Sequence, residues 1–89
     1  MKINDLTDEV TVQARRWRGD AMERAEWQPT LLHVERDPQG RVCLITVAGG
    51  GWAEYDPRAR GRGVDVFQRA SGVLFIVDDW CLEIQGLTL

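Results

Sequence analysis

His33 is the one side chain in the sequence that ordinarily titrates near neutrality, and Cys43 and Cys81 are its only thiols. A nucleophilic dyad would have to join them, because a thiolate held below its free pKa of about 8.5 needs an imidazolium beside it. His33 alternates with Leu32 and Val34, as a polar residue on the outward face of an edge strand does, and no recognised catalytic-cysteine sequence surrounds either thiol. No catalytic residue is therefore assigned, and the chain reads as a non-enzyme. Two Cys and one His cannot close a zinc site without carboxylates, and neither Cys has a short-spaced partner. Asp78 and Asp79 are adjacent, and neighbours in an extended chain point to opposite faces, so turn chemistry accounts for the pair better than a metal does. No metal and no cofactor are expected. Gly49-Gly50-Gly51 lacks the spacing of a phosphate-binding loop and has no helix pattern behind it, which leaves a bend or bulge as its use.

The stretch from Trp52 to Arg62 carries the most suggestive chemistry: Trp52 and Tyr55, then Arg58, Arg60 and Arg62 at every second position among glycines. As a protein-binding epitope these are the residue types enriched at interface hot spots. As a single-strand RNA or DNA site, the aromatic faces would stack bases while the arginines met phosphates. As a plain solvated loop, the arginines would pair with Glu54, Asp56 and Asp65 while Trp52 closed the core.

These residues need elements to position them. Leu6, Val10, Ala14, Trp17, Ala21 and Ala25 recur at spacings of three and four, which predicts an N-terminal helix over residues 4–27. Gly19 costs about 1 kcal/mol inside a helix, so a break is expected near Arg18-Gly19-Asp20. A competing extended reading covers Glu9 to Gln13, where Val10 and Val12 alternate; it stops at Arg15-Arg16 and ranks second. Pro29 closes the helical region. Beyond it Leu31–Arg36 and Arg41–Val47 form a hairpin about Asp37-Pro38-Gln39-Gly40, with Pro second and Gly fourth as in a type I turn. Trp52–Tyr55 gives a brief strand, and Val64–Gln68, Val73–Val77 and Trp80–Gln85 give three more. Val73–Val77 is apolar throughout, as a strand covered on both faces is, and is expected at the middle of the sheet. Asp78-Asp79 forms the turn of the last hairpin. Trp17 and Trp80 are expected in the core. The expected fold is α+β: a helix packed on one face of an antiparallel sheet of five or six strands, in a single domain over residues 1–89.

The 89 residues carry a formal charge of −3, which argues against a protein that coats nucleic acid over its whole surface. Charge is unevenly spread, since residues 70–89 hold Asp78, Asp79 and Glu83 and no cation. Lys2 is the only lysine, so the basic chemistry is almost wholly that of guanidinium. No apolar run approaches the roughly 20 residues of a membrane span, and the first residues lack the apolar stretch of a secretory signal. With two unpaired-looking thiols, that points to the cytoplasm and to no membrane partner. The functional expectation is an acidic binding protein that occludes a site on a larger partner, in the manner of immunity proteins, antidotes and small anti-defence inhibitors. Trp52, Tyr55, Arg58, Arg60, Arg62, Asp78, Asp79 and Glu83 are its candidate contacts. The partner is expected to be a protein, with single-stranded nucleic acid as the alternative; a homodimer through the exposed sheet face or an edge strand is a further arrangement.

Overall fold

The computed structural model describes residues 1–49, 54–56 and 63–89. Its strands are β1 (Glu9–Arg18), β2 (Gln28–Arg36), β3 (Val42–Val47), β4 (Glu54–Tyr55), β5 (Val64–Gln68), β6 (Gly72–Val77) and β7 (Trp80–Gln85). They form one sheet in the order β4-β3-β2-β1-β7-β6-β5, with every neighbouring pair antiparallel. Two meanders, β1–β4 and β5–β7, are thus joined by the pairing of β1 with β7. The sheet curls into a half-barrel until Tyr55 on β4 meets Phe75 on β6, their rings 5.8 Å apart and tilted by 60°.

This corrects the α+β expectation, because the described residues contain no α-helix and no helix packs on the sheet. Only two 3-10 turns occur among them, Ile3–Asp5 and Ala21–Arg24. The region expected as helix is instead the ten-residue β1. Val10 and Ala14 lie four apart and fit either period, but Val10, Val12 and Ala14 together have the period of two that a half-buried strand requires. Pairing then decides: residues 9–14 register with β2 and residues 14–18 with β7, so every residue of the strand has a partner on at least one side. Gly19 ends the strand at φ +59, a left-handed conformation, and its amide donates to the Asp79 carbonyl at 2.7 Å.

The main core fills the concave side. Leu32, Val34, Ile45, Tyr55, Val66, Val73, Phe75, Leu82 and Ile84 meet there, and Ile3, Leu6 and Leu87 from the two terminal segments close it. The terminal segments are themselves paired, with Lys2 bridging Thr88 in parallel and the Ile3 amide donating to the Thr88 carbonyl at 2.8 Å. A smaller apolar cluster lies on the convex side, where Trp17, Leu74 and Cys81 are covered by Ala21 and Met22 from the second 3-10 turn and by Ala25 just after it. Strand β6 is therefore apolar on both faces for the expected reason, but it lies second from the β5 edge; β1 holds the middle of the sheet.

The Asp37–Gly40 turn forms as its residues dictate. The Gly40 amide donates to the Asp37 carbonyl at 2.9 Å, and Asp37 Oδ1 accepts from the amides of Gln39 and Arg41 at 2.9 Å each. Those bonds, the one from Arg41 foremost, hold the Asp37 carboxyl below its usual range. The neighbouring register shift at Glu35/Arg36 re-aims Arg36 toward the N-terminal segment. Its guanidinium donates to the carbonyls of Asn4 at 3.0 Å, Gly40 at 2.8 Å and Leu6. Asn4 Oδ1 in turn accepts the Val42 amide at 3.0 Å, which fastens the first turn against the hairpin.

Candidate functional site

Of the expected contacts, Trp52, Arg58, Arg60 and Arg62 lie outside the described residues. The other four fall in three different places. Tyr55 is fully buried against Phe75, and burial pushes its hydroxyl pKa up, opposed by the nearby charge of Arg16. Glu83 is fully buried on the convex face. Asp78 and Asp79 form the two-residue turn between β6 and β7, with Val77 paired to Trp80 behind them. Asp78 takes φ +56, a conformation that Asp tolerates better than most residues. Only the acidic turn offers an exposed surface among these four.

Glu83 lies directly across from Arg15 on β1, and its Oε1 accepts from Arg15 Nε at 2.6 Å. Its Oε2 accepts from Ser71 Oγ at 2.7 Å and pairs with Arg69 Nε at 3.2 Å. Arg15 also stacks on two indoles, its Cζ lying 5.4 Å from the Trp17 ring centre and 4.7 Å from that of Trp27. The far side of Arg69 donates to Met22 Sδ at 3.7 Å. One buried carboxylate is thereby held by two guanidinium groups and a hydroxyl, roofed by the 3-10 turn. A buried charge costs several kcal/mol unless paired in this way, so the cluster fixes how the turn and the β5–β6 corner seat on the sheet. Its oxygens are committed to these partners, which makes it a structural cluster. The sequence held one signal of it: a lone acid between Leu82 and Ile84 in an otherwise apolar strand has to find cations.

A second charged group lies at the β6–β7 turn. Arg18, the last residue of β1, pairs with Asp79 Oδ2 at 2.9 Å, and its Cζ sits 5.0 Å from the centre of the Trp80 ring. Both side chains of the ion pair remain largely exposed, 64% for Arg18 and 52% for Asp79. The register Val64↔Val77 brings the start of β5 to the same end of the sheet. Arg18 and Trp80 were not among the expected contacts; the helical reading of residues 4–27 put Arg18 beside a break and hid its place across from Trp80.

The thiols and the imidazole are not brought together. His33 pairs across to Glu9, its Nδ1 3.3 Å from Glu9 Oε1, whereas Cys81 pairs with Trp17, eight residues further along β1, or about 26 Å at strand rise. Cys43 lies three residues along β3 from Thr46, the partner of His33, roughly 10 Å. Burial, reinforced by Asp79, pushes the Cys81 thiol up, away from the reactive thiolate. Among the described residues no group of three or more His, Cys, Asp or Glu is placed to hold a metal ion, and no helix is long and apolar enough to cross a membrane.

Fold and surface together define an all-β half-barrel with a roofed ionic cluster on its convex side and an acidic turn at one end. No protein-family model matches the chain, and no curated protein or solved structure does so either.

Proposed function

We propose that the chain is a small non-enzymatic binding protein that occludes a site on a larger macromolecular partner, and that the end of the half-barrel around Asp78, Asp79, Arg18 and Trp80 is where it makes contact. The supporting observation is the Arg18–Asp79 pair over Trp80. It presents exposed Arg and acidic groups together with an indole, on a turn held between paired strands. Arg and Trp are the side chains that most often carry binding energy, and a rigid hairpin end loses little conformational freedom on docking. The two aspartates suit a basic surface on a protein partner, where charge complementarity speeds encounter and fixes orientation. Single-stranded nucleic acid is the weaker reading, because the burial of Tyr55 removes one of its two stacking rings.

The experiment compares the wild-type chain with Asp78→Arg and Asp79→Arg as immobilised baits against lysate from the native host. A protein retained by the wild type and lost from both variants supports the reading. Retention unaffected by either substitution, or no retained protein at all, overturns it.

A further inference from the structure

The β5 edge carries a second inference that does not depend on the first. Among the described residues strand β5 ends the sheet, and the Arg69 and Gly72 backbones exchange both of their hydrogen bonds, at 2.7 and 3.2 Å. From that closing pair the antiparallel alternation runs backwards along β5 without a register shift. Phe67 and Asp65 therefore bond to β6, while the amides and carbonyls of Val64, Val66 and Gln68 point away from the sheet. No other described residue bonds to those outward groups. The Gln68 side chain is turned inward to the Leu87 carbonyl and the Leu89 amide, which leaves its backbone directed at the edge. Proteins ordinarily blunt such an edge with charged side chains, Pro or a bulge; Val64–Gln68 has no Pro and no bulge, and its single charge is Asp65.

We infer that β5 is a dimerisation edge, along which a second copy of the chain pairs antiparallel about a two-fold axis at Phe67. The outward groups must meet outward groups, which restricts the register. An axis at Val66 would set Asp65 across from Phe67 and bring the two Asp65 carboxylates diagonally together. An axis at Phe67 sets Phe67 across from its own copy and Asp65 across from the other copy's Arg69, all on the convex face. Opposite charges flanking an aromatic pair favour the second register. In it Val66 and the other copy's Gln68 exchange backbone bonds on either side of the axis. The Phe67 rings, each 49% exposed in the single chain, cover one another. Arg69 keeps Glu83 through Nε, and its partly exposed guanidinium reaches outward to the second charge.

Sedimentation equilibrium of the full chain should give twice 10.1 kDa, and Phe67→Lys should return 10.1 kDa with an unchanged far-ultraviolet circular dichroism spectrum. The register is read separately by oxidation in a Cys43→Ser background. Phe67→Cys, facing itself across a non-hydrogen-bonded pair about 4.5 Å apart at Cα, should cross-link, and Asp65→Cys should not. A wild-type mass of 10.1 kDa at all concentrations overturns the inference, as does a dimer that survives Phe67→Lys or cross-links equally well through position 65.

Discussion

Glu83 shows how far a single residue's role depends on what faces it. By residue type it is a surface acid, and in the chain it follows two aspartates in a segment without cations, so it reads as part of an acidic contact surface. In the sheet it is fully buried, and its two oxygens are taken up by Arg15, Arg69 and Ser71. Removing it strands two guanidinium groups over an apolar face. Glu83→Ala is expected to cost about 3–5 kcal/mol, the loss found when one partner of a buried ion pair is deleted. Glu83→Gln keeps the shape and part of the hydrogen bonding and should cost about 1–3 kcal/mol. Urea denaturation followed by tryptophan fluorescence measures both. Trp17 and Trp27, stacked on Arg15, should also lose their native emission in Glu83→Ala before global unfolding, because the roof is seated through that guanidinium. Equal stability of wild type and Glu83→Ala would mean the cluster does not hold the turn in place.

At the scale of elements, the residues after Pro29 declare their strands and the residues before it do not. The Asp37–Gly40 hairpin, β5, β6, β7 and the Asp78-Asp79 turn are all readable, since each is bounded by turn residues with a specific backbone need. Strand β1 is not, because Leu6, Val10, Ala14 and Trp17 satisfy a helical spacing while only Val10, Val12 and Ala14 keep the alternation; its assignment rests on pairing with β2 on one side and, on the other, with β7 from the far end of the chain. The burial of Tyr55 is hidden for a related reason: β4 has two residues, and nothing local says that the sheet curls far enough to bring it to Phe75. Close approach has its own marker at Gly72, where a Cβ would stand 1.9 Å from the Ile84 carbonyl oxygen. Gly72→Ala must push β6 from β7, and a loss of roughly 3 kcal/mol in melting or urea experiments is expected. Gly40, at φ +83 with open space around it, provides the comparison: Gly40→Ala should cost only the left-handed backbone penalty of about 1–2 kcal/mol. Equal costs at the two sites would rule out close packing at Gly72 as the reason for glycine there.

The whole molecule is two meanders of local pairings closed by one distant pairing. Hairpin neighbours such as β2 and β3 can form early, whereas β1 and β7 come from opposite ends of the chain and must be brought together at the entropic cost of closing a long loop. The same pairing is the hardest to open, since β1 is the middle strand, β7 is covered on both faces, and the Lys2–Thr88 bridge fastens the chain ends beside them. Native-state hydrogen exchange should therefore rank the amides by distance from this seam. Those exchanged between Ala14–Arg18 and Trp80–Ile84 should open only with global unfolding, carrying its full denaturant dependence. Amides of β4 should exchange through local fraying, with little denaturant dependence, because among the described residues β4 pairs with β3 alone and over two residues. The outward amides of Val66 and Gln68 separate the two states of the β5 edge. They should be unprotected in the Phe67→Lys monomer and protected in the wild type at high concentration, while the β1–β7 seam exchanges alike in both. If the β2–β3 hairpin outlasted the seam, the half-barrel would be opening between its meanders before either one melted, and the global cooperativity assigned to the β1–β7 contact would be lost.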